Sequence, residues 1–165
     1  MAAGATYTPL ATTTLGSAQA SYTFSSISGS YTDLVLIVNG SNTATDQGLV
    51  CQVGTGSVDT AANYSSTYIL GSGSSAVSGR TTNDTYALIG RMDGGNSTSI
   101  VHFMNYSNGT TKKTILGRGN DGSYVIQHVA LWQGTTAINT IKVYNLSSVN
   151  LNTGTTLTLY GIQAA

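Results

Sequence analysis

The sequence predicts an all-β chain: an antiparallel sandwich or barrel built from ten or eleven short strands. Three observations predict it. Short β-rich runs are broken throughout by Gly, Asn and Ser. Several runs alternate apolar and polar residues with period two, which marks half-buried antiparallel strands. No window gives an amphipathic helix with caps.

Taken in order, strands are expected at residues 10–15, 21–27, 33–38, 49–53, 64–70, 85–92, 99–106, 111–116, 124–133, 140–145 and 156–162. Turn signals lie between them: SGS, NGSN, GTGS, GSGSS, DGGN, SNGT, GNDG and LNTG. The lone proline, Pro9, lies in residues 1–14, read as an N-terminal arm before a single domain over 15–165. LVLIV (34–38) and HVALW (128–132) are nearly continuous apolar runs and read as strands covered on both faces. In SIVHFMNY, Val101 and Phe103 share one face and His102 takes the other. In NTIKVYN, Ile141 and Val143 alternate with Lys142, and in TTLTLYGI, Leu157 and Leu159 alternate with Thr158 and Tyr160. The Ser/Gly/Thr stretch 71–82 holds little to pack and reads as the longest loop, with Arg80 its only charge.

Composition narrows the function classes. Only 7% of residues are charged, against roughly 25% in an average soluble domain. There is no glutamate, and six acids balance six bases. A nucleic-acid binder carries a basic face and a polybasic membrane anchor carries a basic run, so neither partner is expected. A surface of Ser, Thr, Asn and Gly with zero net charge suits life in an assembly. Cys51 is the one cysteine, so no intrachain disulfide forms, and it reads as a small buried hydrophobe. The first residues lack the basic and apolar regions of a secretory signal. No apolar run reaches the ~18 residues a membrane-spanning helix needs.

The chemical motifs read as structural. GRGNDG (117–122) matches G-x-G-x-x-G, but a strand follows it where a dinucleotide site needs a helix N-terminus. It is expected to be a hairpin connection, with Asn120, Asp121 and Gly122 tolerating positive φ. GSGSSA (71–76) is followed by more loop. The only histidines, His102 and His128, fall inside expected strands, and no G-x-S-x-G elbow occurs. Asp93 and Asp121 read as turn-forming residues and Asp33 as a strand-edge residue. No metal-ligand spacing occurs. Catalytic, cofactor and metal residues are therefore all expected to be absent. Of the ten tyrosines, Tyr22, Tyr86, Tyr106, Tyr124, Tyr144 and Tyr160 are assigned to strands. Tyr64 and Tyr68, beside the 71–82 loop, are taken as surface candidates.

Three ordered segments carry a resemblance: ATTTLGSAQASYTFSSISGSYTDLVLIVNG, then ANYSSTYILGSGSSAVSGR, then the closing TTLTLYGIQ. Together they resemble a family of small virion structural proteins of tailed bacteriophages. The shared features are a YTFSSI–turn–YTDLVLIV pair, a central Gly/Ser-rich loop and a last strand ending in LYGI. The resemblance implies a jelly-roll-like β-sandwich on the virion exterior, made in the host cytoplasm. Such proteins are capsid decoration (cement) proteins or parts of tail fibres. A single domain beginning at Met1 leans toward decoration: a homotrimer on the major capsid protein, its arm reaching a neighbouring subunit or the capsid. The alternative is a tail-fibre module that recognises a host glycan. Partner contacts are expected at Thr6, Tyr7, Pro9, Tyr64, Tyr68 and Arg80.

Overall fold

The computed structural model describes residues 6–44 and 46–163. In chain order its strands are β1 (Tyr7–Thr14), β2 (Ser21–Phe24), β3 (Asp33–Gly40), β4 (Gln47–Gly54), β5 (Tyr64–Gly71), β6 (Ala76–Asp84), β7 (Ala87–Met92), β8 (Ser97–Phe103), β9 (Lys113–Asn120), β10 (Val125–Trp132), β11 (Thr140–Asn145) and β12 (Thr156–Ile162). They form two antiparallel sheets, one in the order β1-β12-β3-β8-β9-β10-β5-β6 and the other in the order β2-β11-β4-β7. The fold is a β-sandwich with unequal layers. A jelly roll in its plain form divides eight strands between two sheets.

Period-two alternation decides which side chains enter the core. From the larger sheet come Leu34, Leu36 and Val38 of β3, Val101 and Phe103 of β8, Ile115 of β9, and Leu157 and Leu159 of β12. From the smaller sheet come Leu49, Cys51 and Val53 of β4, Ile89 of β7, and Ile141 and Val143 of β11. Cys51 is a free, fully buried thiol, and burial pushes its pKa up.

Sequence expectations change at three places. HVALW, expected to be covered on both faces, lies in β10, which alternates exposed and buried residues because its outer face is open. The two edge segments of the larger sheet also differ. Residues 7–14 are not an arm: β1 pairs with β12 from Tyr7↔Ile162 to Thr14↔Thr156. Leu10 and Ala11 of β1 pack against the core. Pro9 is tolerated because β1 is an edge strand, and a register shift between Pro9 and Ala11 marks a bulge beside it. Met1–Ala5 lie outside the described residues. The 71–82 stretch is likewise not a loop. Only the link 72–75 is irregular, closed by Ser72 N–H donating to the Ser75 carbonyl at 3.0 Å. Gly73 there adopts φ +84°, which glycine accepts without strain. Beyond it, β6 pairs with β5 along its length. As an edge strand exposed over most of its length, β6 forms through backbone hydrogen bonds and needs no apolar period.

The two sheets touch through backbone on one side. In the β4–β7 pairing Leu49 faces Gly90 and Val50 faces Leu88, so Ile89 is a bulged residue. A Cβ on Gly117 of β9 would lie 2.2 Å from the Ile89 carbonyl oxygen. A Cβ on Gly90 would lie 2.1 Å from Ser99 Oγ of β8. Stacked sheets ordinarily sit about 10 Å apart with side chains between them. Here glycines replace those side chains and β7 settles onto β8 and β9. Gly117→Ala must displace a carbonyl and should cost about 1–3 kcal/mol. Gly71→Ala, where a Cβ meets nothing within 4 Å, should cost nothing measurable; urea denaturation of the two variants checks the contrast.

Candidate interaction surface

Cross-strand registers build the exposed face of the larger sheet row by row. One row runs Ile37, Ile100, Arg118, Gln127, Ile69 across β3, β8, β9, β10 and β5. The next runs Val35, His102, Leu116, Val129, Thr67 and ends on Arg80 of β6. On the β3 side the face is filled: Val35 is buried. On the β10 and β5 side it is open, with Val125 71%, Ile69 64% and Val129 47% exposed. A hollow of about 630 Å³ lies on this side, lined by Ile69, Ile100, Val125, Arg118, Gln127 and other residues of the same strands. A contiguous aliphatic patch on a sheet face with nothing packed over it marks an interaction surface.

The expected contact residues scatter. Thr6 and Tyr7 are exposed at the start of β1, Tyr7 standing edge-on to Tyr160 with ring centroids 6.1 Å apart. Pro9 is exposed on the same edge. Arg80 is exposed on β6, at the far side of the sheet, and belongs to the open face. Tyr68 turns inward: it stacks with His128 at 5.8 Å and covers Gly79. Tyr64 is a core residue, not a surface one. It is 1% exposed, and its hydroxyl accepts the Val53 N–H at 3.0 Å and donates toward the Val53 and Asp59 carbonyls. Three tyrosines assigned to strands lie outside them: Tyr86, Tyr106 and Tyr124.

The aspartates hold turns. Asp59 accepts hydrogen bonds from Trp132 Nε1 at 2.8 Å, Asn63 Nδ2 at 2.9 Å and the Ala61 N–H at 2.9 Å. Burial raises its carboxyl pKa, but these donors outweigh burial and the pKa ends below the ordinary value. Asp93 accepts from the Gly95 N–H with one oxygen and from the Gly122 N–H with the other. Asp121 accepts from the Ser123 and Tyr124 N–H groups. Both are the turn-forming residues expected. The positive φ expected at Asn120, Asp121 and Gly122 is absent, because the Asp121 side chain closes that turn instead. Asp33 Oδ1 takes the Asn105 N–H at 2.5 Å, joining the start of β3 to the end of β8. Arg91 sits between Asp46, which it pairs directly, and Asp121 at 3.7 Å, with its guanidinium 4.8 Å from the Tyr124 ring centroid.

His102 and His128 lie on opposite faces of the larger sheet, so the two rings do not share a site. His102 stands beside Leu116 on the outer face, and burial followed by the Arg118 guanidinium lowers its pKa. His128 points inward and is 2% exposed, with neither ring nitrogen in a well-formed hydrogen bond. Burial, and then the Arg91 guanidinium, push its pKa down to about 4, the Gly90 backbone opposing. Among the described residues no group of three or more His, Cys, Asp or Glu is placed to hold a metal ion. Comparison with protein-family models, with curated proteins and with solved structures found no match.

The histidine yields a signed expectation. The unfolded chain binds a proton at His128 near its ordinary pKa of 6.5, while the folded chain binds it only near about 4. Between those values the unfolded state holds more protons, so stability falls as pH drops through this window. The loss is at most on the order of 3 kcal/mol. Denaturant midpoints measured from pH 7 to pH 4 should fall less steeply in His128→Leu than in the parent chain.

Proposed function

We propose that the chain is a bacteriophage virion structural protein: a capsid decoration protein that binds the outer surface of the major capsid protein and stabilises the head. The observation that carries this reading is the open aliphatic face of the larger sheet. It is a broad, shallow surface suited to lying against another protein. Zero net charge and few charged side chains support it, since such a surface adds little repulsion when copies crowd a lattice. The resemblance in the three ordered segments supports the virion part, and it alone carries the homotrimer. The mechanism is mass action: a protein that binds the assembled shell and not its dissociated parts shifts the balance toward the shell.

No enzymatic step is assigned. The aspartates that hold turns are bound to backbone N–H groups, and each histidine lies on its own side of the larger sheet. Exposed Tyr7, edge-on to the half-buried Tyr160, favours a second reading, a tail-fibre module that takes a host glycan, because aromatic rings pack against sugars. Tyr64 and Tyr68, the tyrosines first assigned to such a site, are turned inward.

Cryo-electron microscopy of the native particle separates these readings. Many copies spread over the head lattice are expected. Copies confined to the tail overturn the decoration reading, and a chain missing from the particle overturns both.

A further inference from the structure

We propose that the outer face of β9, β10, β5 and β6 docks an acidic protein surface, one that presents two carboxylates to Arg118 and Arg80 across an aliphatic patch. This rests on the decoration reading and adds which face of the chain meets the capsid and what chemistry the capsid offers.

The formal balance of six acids and six bases hides how the charges are used. Five of the six acids are engaged: Asp33, Asp59, Asp93 and Asp121 are tied to backbone N–H groups and Asp46 pairs with Arg91, while Asp84, at the end of β6, keeps a buried Oδ2 and pairs with neither arginine. Arg118 and Arg80 have no carboxylate partner among the described residues, and both are exposed on the open face. Between them lie Val129, Gln127 and Ile69, all exposed. Three strand spacings separate β9 from β6 in the sheet, and the two residues sit in adjacent rows. The guanidinium-bearing positions are therefore roughly 15 Å apart. Arginine in this setting is a strong anchor, since its planar fork takes a carboxylate bidentately and its stem packs on aliphatic neighbours.

The same charges argue against other occupants. A second copy docked through the same face would bring cations toward cations. Nucleic acid calls for a continuous basic track, whereas here two guanidiniums flank valine and isoleucine. A glycan calls for aromatic platforms, and Val129, Gln127 and Ile69 between the two arginines offer no ring. An acidic protein surface meets both demands, charge at two points and apolar contact between them.

The test uses heads prepared without this chain and measures saturable binding of added protein. The parent chain should bind, with affinity falling as salt rises. Arg118→Glu with Arg80→Glu should bind at least tenfold more weakly, and Val125→Asp likewise. Lys142→Glu, on β11 of the smaller sheet, should bind as the parent does. Circular dichroism checks folding of each variant, and if Val125→Asp does not fold the charge reversal decides alone. If the parent binds and the charge reversal binds equally, this proposal is overturned and the decoration reading stands. If the parent does not bind heads, both fall. Binding of the parent to bare duplex DNA or anionic vesicles in place of heads, or dimerisation abolished by Val125→Asp, also overturns it.

Discussion

The close approach of β7 to β8 and β9 governs how the two layers sit on each other. A sandwich normally keeps its sheets apart by the thickness of two side-chain layers. Gly117 and Gly90 remove that spacing locally, and the bulge at Ile89 turns a carbonyl into the space a Cβ would fill. Because β7 is an edge of the four-stranded sheet, its contact with the larger sheet closes the sandwich on that side. The opposite face of β9 and β10 is left with nothing over it. In a two-layer sandwich the outer face of a sheet is covered only by a further element or another molecule, and among the described residues no element lies over this one.

Burial of polar groups follows the same geometry. His128 and Ser99 lie under the β7 contact, and neither the ring nitrogens nor Ser99 Oγ is in a well-formed hydrogen bond. Such groups cost free energy and reduce what the tight backbone contact contributes. Lys113 shows the contrasting solution. It is fully buried, yet its ammonium donates to the Thr111 and Thr135 carbonyls, so its stem fills the core while its charge is satisfied. The Asp59, Trp132 and Tyr64 group is likewise a closed network tying β10 and β5 to the turn after β4. Asp59, Asp93 and Asp121 therefore serve turns, and on the open outer face Arg118 and Arg80 are left without a carboxylate partner among the described residues.

How much of this was legible in the sequence depended on whether burial had left a period. Val101, Phe103, Ile141, Val143, Leu157 and Leu159 alternate in the sequence and do face the core, so their strands were readable to within a few residues. β6 was not readable, because a strand exposed on both faces has no apolar rhythm, and its Ser, Gly and Thr looked like a loop. Tyr64 was misplaced because tyrosine suits a surface or a core equally, and only the partners of its hydroxyl decide. The open face was hidden for a different reason. Its members come from different strands, and Arg118, Ile69 and Val125 become neighbours only through the registers of β9, β10 and β5. GRGNDG does lead into the expected hairpin between β9 and β10, but not through positive φ. Gly117 is there for sheet-to-sheet contact, while the Asp121 carboxylate makes the turn.

The eight-stranded sheet ends in two open edges, and a crowded lattice is where open edges are dangerous. At β1 the hazard is blunted by Pro9, which lacks an N–H, and by the bulge next to it. At β6 the midpoint of Ala76–Asp84 is Arg80. A second β6 approaching in the centred antiparallel register would set arginine directly against arginine, a pairing that like charges oppose. The same guanidinium that we propose meets a partner's carboxylate is therefore also a lock against self-templating. On the decoration reading, that lock would let many copies stand side by side without their sheets growing into one another.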